Sequence, residues 1–191
     1  MERLQLIKNI TLIGVFTALF CVVAPFSMPI GVVPISLATF MVYLVSAIFE
    51  PWIAPAIVGC YILLGSLGLP VFASFKGGFA VILGPTGGFI WGYLLCAVVE
   101  SLLIYIFKNK KWMVPVAMVA GTVLIYGFGL AFFLIYMNGS YSFLKALQVC
   151  VIPFLLGDAI KIATATALSY VLRPIYLKTH PKGKVETEEK E

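Results

Sequence analysis

Charged residues, prolines and glycines divide the chain into six long apolar segments. They cover approximately residues 10–24, 33–49, 52–67, 86–107, 114–137 and 153–172. Because a helix needs roughly 20 apolar residues to cross a bilayer, each segment is predicted to be a membrane-spanning helix. We therefore expect an all-α integral membrane protein with a bundle of six transmembrane helices in one domain, residues 1–177. Pro174 is expected to end the sixth helix, and residues 178–191 are expected to form a polar cytoplasmic tail.

Composition supports a membrane protein and excludes other classes. Of the 191 residues, 62% are hydrophobic and 11% are charged, and the mean hydropathy is +1.08. These values exclude a water-soluble globular domain of this size. A net charge of +5 in such a chain indicates topology and contact with anionic lipid, so we expect the lipid bilayer and no nucleic acid as partner.

The distribution of lysine and arginine predicts the orientation in the cell membrane. With a cytoplasmic N-terminus, ten of the 13 lysines and arginines lie inside, Lys161 lies within a span, and only Lys76 and Lys145 lie outside. This bias predicts a multi-pass protein with both ends inside. Three external connections follow, at residues 26–32, 68–85 and 138–152, and we expect all three to be structured.

The second connection is unusual because it is apolar, aromatic and rich in glycine. Residues 68–88 read GLPVFASFKGGFAVILGPTGG. Irregular backbone near a membrane must be buried in protein or line a cavity, because lipid cannot satisfy its peptide groups. This connection is therefore a candidate site. The alternative is a loop that only packs over the helix ends, since glycine-rich turns also serve plain chain reversal.

Ionisable residues within predicted spans indicate function by default, because charge is costly in a bilayer. Four ionisable residues lie within a span or directly at its end: Glu50, Glu100, Asp158 and Lys161. Glu50 is interpreted as a solvated carboxylate at a helix end. Glu100 is expected either to approach the inner interface or to face a neighbouring helix, and structural roles are favoured for both glutamates.

Asp158 and Lys161 are three residues apart, which places them on one face of the sixth helix. Pro153 near the helix start puts Asp158 roughly 7 to 8 Å from the outer end, the depth of a pocket open to the outside. A carboxylate accepts hydrogen bonds from N–H groups, and an ammonium donates to a carbonyl or carboxylate. Ligand binding is favoured, and the alternative is an ion pair that joins two helices.

Catalytic, metal and cofactor motifs are absent from the sequence. It has no phosphate-binding G-x-x-x-x-G-K-[ST] loop and no HExxH, and its single histidine, His180, lies in the tail. The four cysteines, at positions 21, 60, 96 and 150, are far apart in the sequence and form no CxxC pair. We therefore expect that the chain is not an enzyme and holds no metal or cofactor. Active uptake by such a membrane protein would take its energy from an ion gradient or from a separate motor subunit.

A series of short motifs covers most of the chain, in order. They are VPISL at 33–37, GLPVFA at 68–73, GG at 77–78, GPTGG at 84–88, GY at 92–93, and PF at 153–154 followed by Gly157, Asp158 and Lys161. Together they make the chain resemble the BioY family, the biotin-binding membrane subunits (S components) of energy-coupling-factor (ECF) vitamin transporters. The resemblance implies biotin uptake by a six-helix subunit that docks on a transmembrane coupling (T) subunit and two cytoplasmic ATPases. The alternatives are an S component for a different vitamin, a stand-alone ion-coupled carrier and a small membrane enzyme.

The resemblance also implies the site. Asp158 is expected to bind a ureido N–H of biotin and Lys161 a ligand oxygen, under a loop formed by residues 72–88. The other residues expected to bind biotin are Phe72, Ser74, Phe75, Gly78, Thr86, Gly87 and Tyr93.

Four positions bear on how far the family pattern holds. Ala38 stands where members often have glutamine, so a polar contact there is lost or replaced. Lys76 adds a cation to the loop, either to assist a ligand carboxylate or to face water. Gly14 and Ala18 fit, with one substitution, the Ala-x-x-x-Ala motif that docks on the partner subunit.

Overall fold

The computed structural model describes residues 2–28, 33–107 and 110–179, and most of them are helical. The helices are α1 (Glu2–Val23), α2 (Ala38–Ile48), α3 (Ile53–Ser66), α4 (Phe79–Ile82), α5 (Gly87–Ile106), α6 (Met113–Tyr136), α7 (Phe143–Cys150) and α8 (Ile152–Thr179). Two strands, β1 (Ser27–Met28) and β2 (Ile35–Ser36), pair antiparallel. Each predicted segment overlaps one of the six longer helices, although α1 begins eight residues before its segment and α8 ends seven residues after its segment. The short α4 and α7 lie in connections.

Four stretches of the described residues are long and apolar enough to cross a membrane. They are Arg3–Val23, Gly87–Ile106, Met113–Tyr136 and Phe143–Thr179. The apolar helices α2 and α3 have 11 and 14 residues, so they reach only about 16 and 21 Å against a hydrocarbon core of about 30 Å. The helical membrane fold is thus confirmed, whereas six full spans and their orientation stay predictions.

The long helices pack closely where small residues meet. A Cβ atom added at Gly88 of α5 would collide with Phe132 and with the carbonyl oxygen of Phe128 on α6, and one added at Gly129 of α6 would collide with the Phe89 ring. Small residues permit such close approach between membrane helices. The interior helix α2, which buries ten of its residues, packs against α5 and α8. Helices α2, α5, α6 and α8 together enclose the polar groups of the candidate site.

Pro174 does not end the last helix, contrary to the sequence expectation, because α8 continues through it to Thr179. Contacts with the end of α2 hold the segment around the proline. The guanidinium of Arg173 donates to the carbonyl of Ala47 at 2.6 Å, and the Tyr176 ring packs edge-on against Phe49 with centroids 5.0 Å apart. These contacts fix the part of α8 around and after the proline against the end of α2. The helix thus passes the predicted tail boundary at 178, and residues 180–191 lie outside the described part.

All three connections predicted to be external contain regular structure. The first contains β1, which pairs with β2 at the start of the second predicted segment, so that a short antiparallel strand pair is added to the expected all-α fold. The second contains a single 3-10 turn, Ala73–Phe75, and α4. The third contains α7, where the Ser142 hydroxyl caps the helix by accepting from the backbone N–H of Lys145 at 3.4 Å. The first two connections cover the candidate site.

Candidate ligand-binding site

A cavity of about 260 Å³ lies between α2, α5, α6 and α8, beneath the connection that precedes α5. Its walls are largely aromatic and apolar, and six aromatic side chains line it: Tyr61, Phe72, Phe89, Tyr93, Tyr126 and Phe154. Asp158 and Lys161 are among the lining residues, and hydrogen bonds join them to Ser36, Thr39 and Tyr126, which also line the cavity. Apolar walls with a few placed polar groups are typical of small-molecule sites.

Lys161 is buried at 8% exposure, and its ammonium makes three short contacts. Nζ lies 2.9 Å from Oδ1 of Asp158, 2.9 Å from Oγ1 of Thr39 and 2.8 Å from the carbonyl oxygen of Ser36. An ammonium has three N–H donors, so these contacts use all of them. The residue therefore ties α8 to α2 and β2, and it also lines the cavity.

Asp158 is also buried, at 3% exposure, and its two oxygens differ in their partners. Oδ1 accepts from Lys161 and from the Thr39 hydroxyl at 3.2 Å. Oδ2 accepts from the Tyr126 hydroxyl at 2.5 Å, its one hydrogen-bond donor among the described residues. Because each carboxylate oxygen can accept two hydrogen bonds, Oδ2 retains capacity for an N–H donor.

The two sequence interpretations of the Asp158 and Lys161 pair both describe part of this arrangement. Both residues belong to α8, and the connection to other elements is made by the bonds from Lys161 to Ser36 and Thr39. Buried ion pairs persist only when further hydrogen bonds satisfy both charges. The pair is therefore preorganised by its surroundings and faces the cavity.

The structure brings together five of the nine residues that sequence reasoning placed at the site. Those lining the cavity are Asp158, Lys161, Phe72, Thr86 and Tyr93. The other four, Ser74, Phe75, Gly78 and Gly87, are outside its lining, and their assignment as binding residues stays a prediction.

The four residues outside the lining have local structural contacts. Ser74 and Phe75 are exposed, and Phe75 packs edge-on against Phe26 with ring centroids 5.6 Å apart. Gly78 has a φ of +94°, which favours glycine. A Cβ added at Gly87 would collide with the carbonyl of Ile82, so that position requires glycine for close packing.

Two polar residues of the site, Thr39 and Tyr126, were not anticipated. Thr39 follows Ala38, and both line the cavity. A polar contact is thus supplied one residue after the position where the family often has glutamine. The alanine at position 38, in place of the family's frequent glutamine, was the sequence feature that could have indicated a polar contact from Thr39. Tyr126 lies within a continuous apolar helix, where the sequence does not distinguish it from a residue that faces lipid or core.

Lys76 brings a second cation to the cavity. Its carbonyl oxygen accepts from the backbone N–H of Phe72 at 2.9 Å, which closes the turn that covers the cavity. The side chain is exposed and lines the cavity, so the ammonium can reach both a ligand and water.

The two glutamates in predicted spans are not among the residues that line the cavity. Glu50 accepts from the indole N–H of Trp52 at 2.6 Å at the turn before α3. Glu100 is fully buried, with Oε2 3.7 Å from the Sγ atom of Cys96. A Cβ at Gly121 of α6 would also lie 3.7 Å from this oxygen, so Glu100 faces a neighbouring helix.

Comparison with known proteins identifies close relatives over nearly the whole chain. A family model described as "BioY family" matches residues 1–178. The biotin transporter BioY of Thermotoga maritima is 38% identical over 90% of this chain and 96% of its own length. The probable biotin transporter BioY of Pyrococcus horikoshii is 33% identical, covering 85% and 94%. A crystal structure of the S-component for biotin from an ECF-type ABC transporter shares the fold, with a TM-score of 0.83, 24% identity and coverage of 91% and 95%.

Proposed function

The chain belongs to the BioY family, and we propose that it takes up biotin as the substrate-binding S component of an ECF-type transporter in the cell membrane. The observation that carries the proposal is the cavity itself. It combines a buried carboxylate that retains acceptor capacity, aromatic walls and a second cation, Lys76. The chain is a transport subunit in this proposal, and ATP hydrolysis occurs on partner subunits.

Biotin matches these groups chemically. Its fused ureido ring has two N–H donors and one carbonyl acceptor, and its valerate tail ends in a carboxylate. Oδ2 of Asp158 is the acceptor for a ureido N–H, and the apolar ring and tail pack on Phe72 and Tyr93. The ammonium of Lys161, with three protein partners, holds Asp158 in place and reaches a ligand oxygen only by exchanging one of those bonds.

We assign the valerate carboxylate of biotin to the ammonium of Lys76. Removal of this ammonium is expected to cause a modest loss of affinity for biotin. Because the side chain is exposed, Lys76→Met should weaken biotin binding by about threefold to fivefold, the range of a solvent-screened ion pair. The Lys76→Met variant should bind biotin methyl ester, which lacks the negative charge, as tightly as the wild type does. Isothermal titration of both ligands measures this.

Lys145→Met is the matched control, since Lys145 lies at α7 with its Nζ 5.4 Å from the centroid of the Tyr141 ring. Both ligands should bind this variant as they bind the wild type. Equal losses for biotin and its ester in Lys76→Met would refute the carboxylate assignment.

The proposed assembly has six spans with both ends inside, a T subunit and two ATPases. Gly14 and Ala18 on α1 are the proposed docking residues. Both are exposed, and a Cβ at Gly14 would meet no atom within 4 Å. Only 11% of the apolar window of α1 is buried within the chain, so the helix has surface for lipid and for a partner.

Bulky residues at the docking positions should separate binding from transport. Gly14→Leu with Ala18→Leu is expected to leave biotin affinity of the purified protein unchanged, because these positions are on an exposed helix face. Biotin uptake by cells that also contain the T and ATPase subunits should fall at least about tenfold, since close helix packing needs small residues. Val15→Leu is the control, because this neighbouring position, 58% exposed, already carries a branched side chain and gains only one carbon. Normal uptake by the double variant would contradict the docking assignment.

The alternatives differ in ligand or in energy source. A thermal-shift panel of water-soluble vitamins tests the ligand, because only a molecule that binds the native state raises the unfolding temperature by mass action. We expect the shift with biotin, and a shift with another vitamin alone would support a different S component. Uptake that depends on the proton gradient and persists without the ATPases would support a stand-alone carrier.

A further inference from the structure

The turn that covers the cavity has an inner and an outer side. Phe72, Ala73 and Lys76 line the cavity, whereas Ser74 and Phe75 form the exposed tip. Both tip residues have left-handed backbone, with φ of 60° and 57°. Residues other than glycine adopt this conformation only when their surroundings hold it, because the Cβ atom clashes with the backbone.

Ser27 of β1 supplies side-chain hydrogen bonds that hold the tip, beside the ring contact between Phe26 and Phe75. The backbone N–H of Ser74 donates both to Oγ of Ser27 at 2.8 Å and to the carbonyl oxygen of Pro25 at 3.0 Å. The two serine hydroxyls are also hydrogen-bonded, at 3.0 Å. One side chain thus binds both polar groups of Ser74 that face the hairpin, and this set of contacts is called the Ser27 latch.

The Ser27 latch is joined to the polar end of the cavity through the hairpin. Ser27 is the strand partner of Ser36 in the β1–β2 pair. The carbonyl oxygen of Ser36 accepts from the Lys161 ammonium at 2.8 Å. The hairpin therefore holds the cover of the cavity on one side and the buried ion pair on the other.

We propose that Ser27 is a positioning residue that keeps the 72–76 turn closed over bound biotin and so sets how long biotin stays bound. This inference rests on the proposed function. Release of biotin requires the tip to leave Ser27, Pro25 and Phe26. Loss of the Ser27 hydrogen bonds weakens this hold, and the strained backbone of Ser74 and Phe75 then favours opening. Ser27 itself is not among the residues that line the cavity, so it acts through the turn.

Dissociation kinetics test the role of Ser27. Biotin release from the purified protein is followed by chasing radiolabelled biotin with an excess of unlabelled biotin. Ser27→Ala should release biotin about fivefold faster, as expected for a lost hydrogen bond, with an association rate changed less than about twofold. Ser27→Thr, which retains the hydroxyl, should release at close to the wild-type rate.

The matched control is Ser142→Ala, which removes a serine hydroxyl from the other long connection, at the start of α7. It should leave the release rate unchanged. An unchanged rate in Ser27→Ala, or an equal acceleration in Ser27→Thr or Ser142→Ala, would overturn the proposal. Failure of the wild type to bind biotin would instead refute the proposed function.

A reversible crosslink provides a second test that does not depend on weakening the fold. Since the two hydroxyl oxygens are 3.0 Å apart, Ser27→Cys combined with Ser74→Cys should form a disulfide on oxidation. The oxidised protein loaded with biotin should retain it at least about tenfold longer than the same sample after reduction. Absence of a disulfide, or equal release from the oxidised and reduced forms, would overturn the proposal.

Discussion

Replacing Asp158 with asparagine is expected to weaken biotin binding by about 100-fold. The carboxylate accepts from Thr39, Lys161 and Tyr126, and an amide oxygen without charge cannot replace these contacts and bind a ureido N–H as well. Hydrogen bonds that involve a charged group contribute about 1.5–3 kcal/mol each, and about 2.7 kcal/mol corresponds to a factor of 100. Isothermal titration of the purified protein with biotin measures the change.

Glu50→Gln is the matched control for this variant, because it neutralises a carboxylate whose partner is Trp52, away from the cavity lining. Its affinity for biotin should equal that of the wild type. The unfolding temperature is measured alongside, so that loss of binding is separated from loss of fold. An Asp158→Asn protein that stays folded and binds biotin within about threefold of the wild type would exclude Asp158 as a ligand contact.

Removing the cation of the pair is expected to reduce stability strongly. Lys161→Met leaves a buried carboxylate without its countercharge and breaks the bonds to Ser36 and Thr39. Breaking one partner of a buried ion pair costs about 3–5 kcal/mol. Denaturant unfolding in detergent should show a loss of this size, whereas Lys145→Met at an exposed position should change stability by less than about 0.5 kcal/mol.

The double variant shows whether this loss comes from the charge. Asp158→Asn combined with Lys161→Met leaves no isolated charge, so its stability should exceed that of Lys161→Met alone. Biotin binding should remain at least about 100-fold weaker than in the wild type, because the acceptor carboxylate is absent. Additive losses of stability would mean that the two residues do not act as a pair.

The long apolar segments and the acidic and basic pair were predictable because each depends on local pattern. Hydropathy located the helices, and three-residue spacing placed Asp158 and Lys161 on one face. Hydropathy does not distinguish a full span from the shorter α2 and α3, since buried helices are as apolar as lipid-facing ones. The continuation of α8 past Pro174 depends on contacts with the end of α2, which sequence does not display.

The polar partners in the site were harder to predict because they come from distant parts of the chain. The bond between Tyr126 and Asp158 joins residues 32 positions apart, and that between Thr39 and Asp158 joins residues 119 apart. Neither side chain carries a local signal for such a contact. Similarly, the motif around Ser74 and Phe75 indicated the correct loop, but the direction of its tip depends on the hairpin that contains Ser27.

The most direct test of the proposed site is a structure of the protein with biotin bound. Density for the fused ring is expected next to Oδ2 of Asp158, inside the cavity and beneath Phe72, with the valerate tail extending towards Lys76. Biotin density at another place on the protein, with this cavity empty at saturating biotin, would contradict the assignment of the cavity as the binding site.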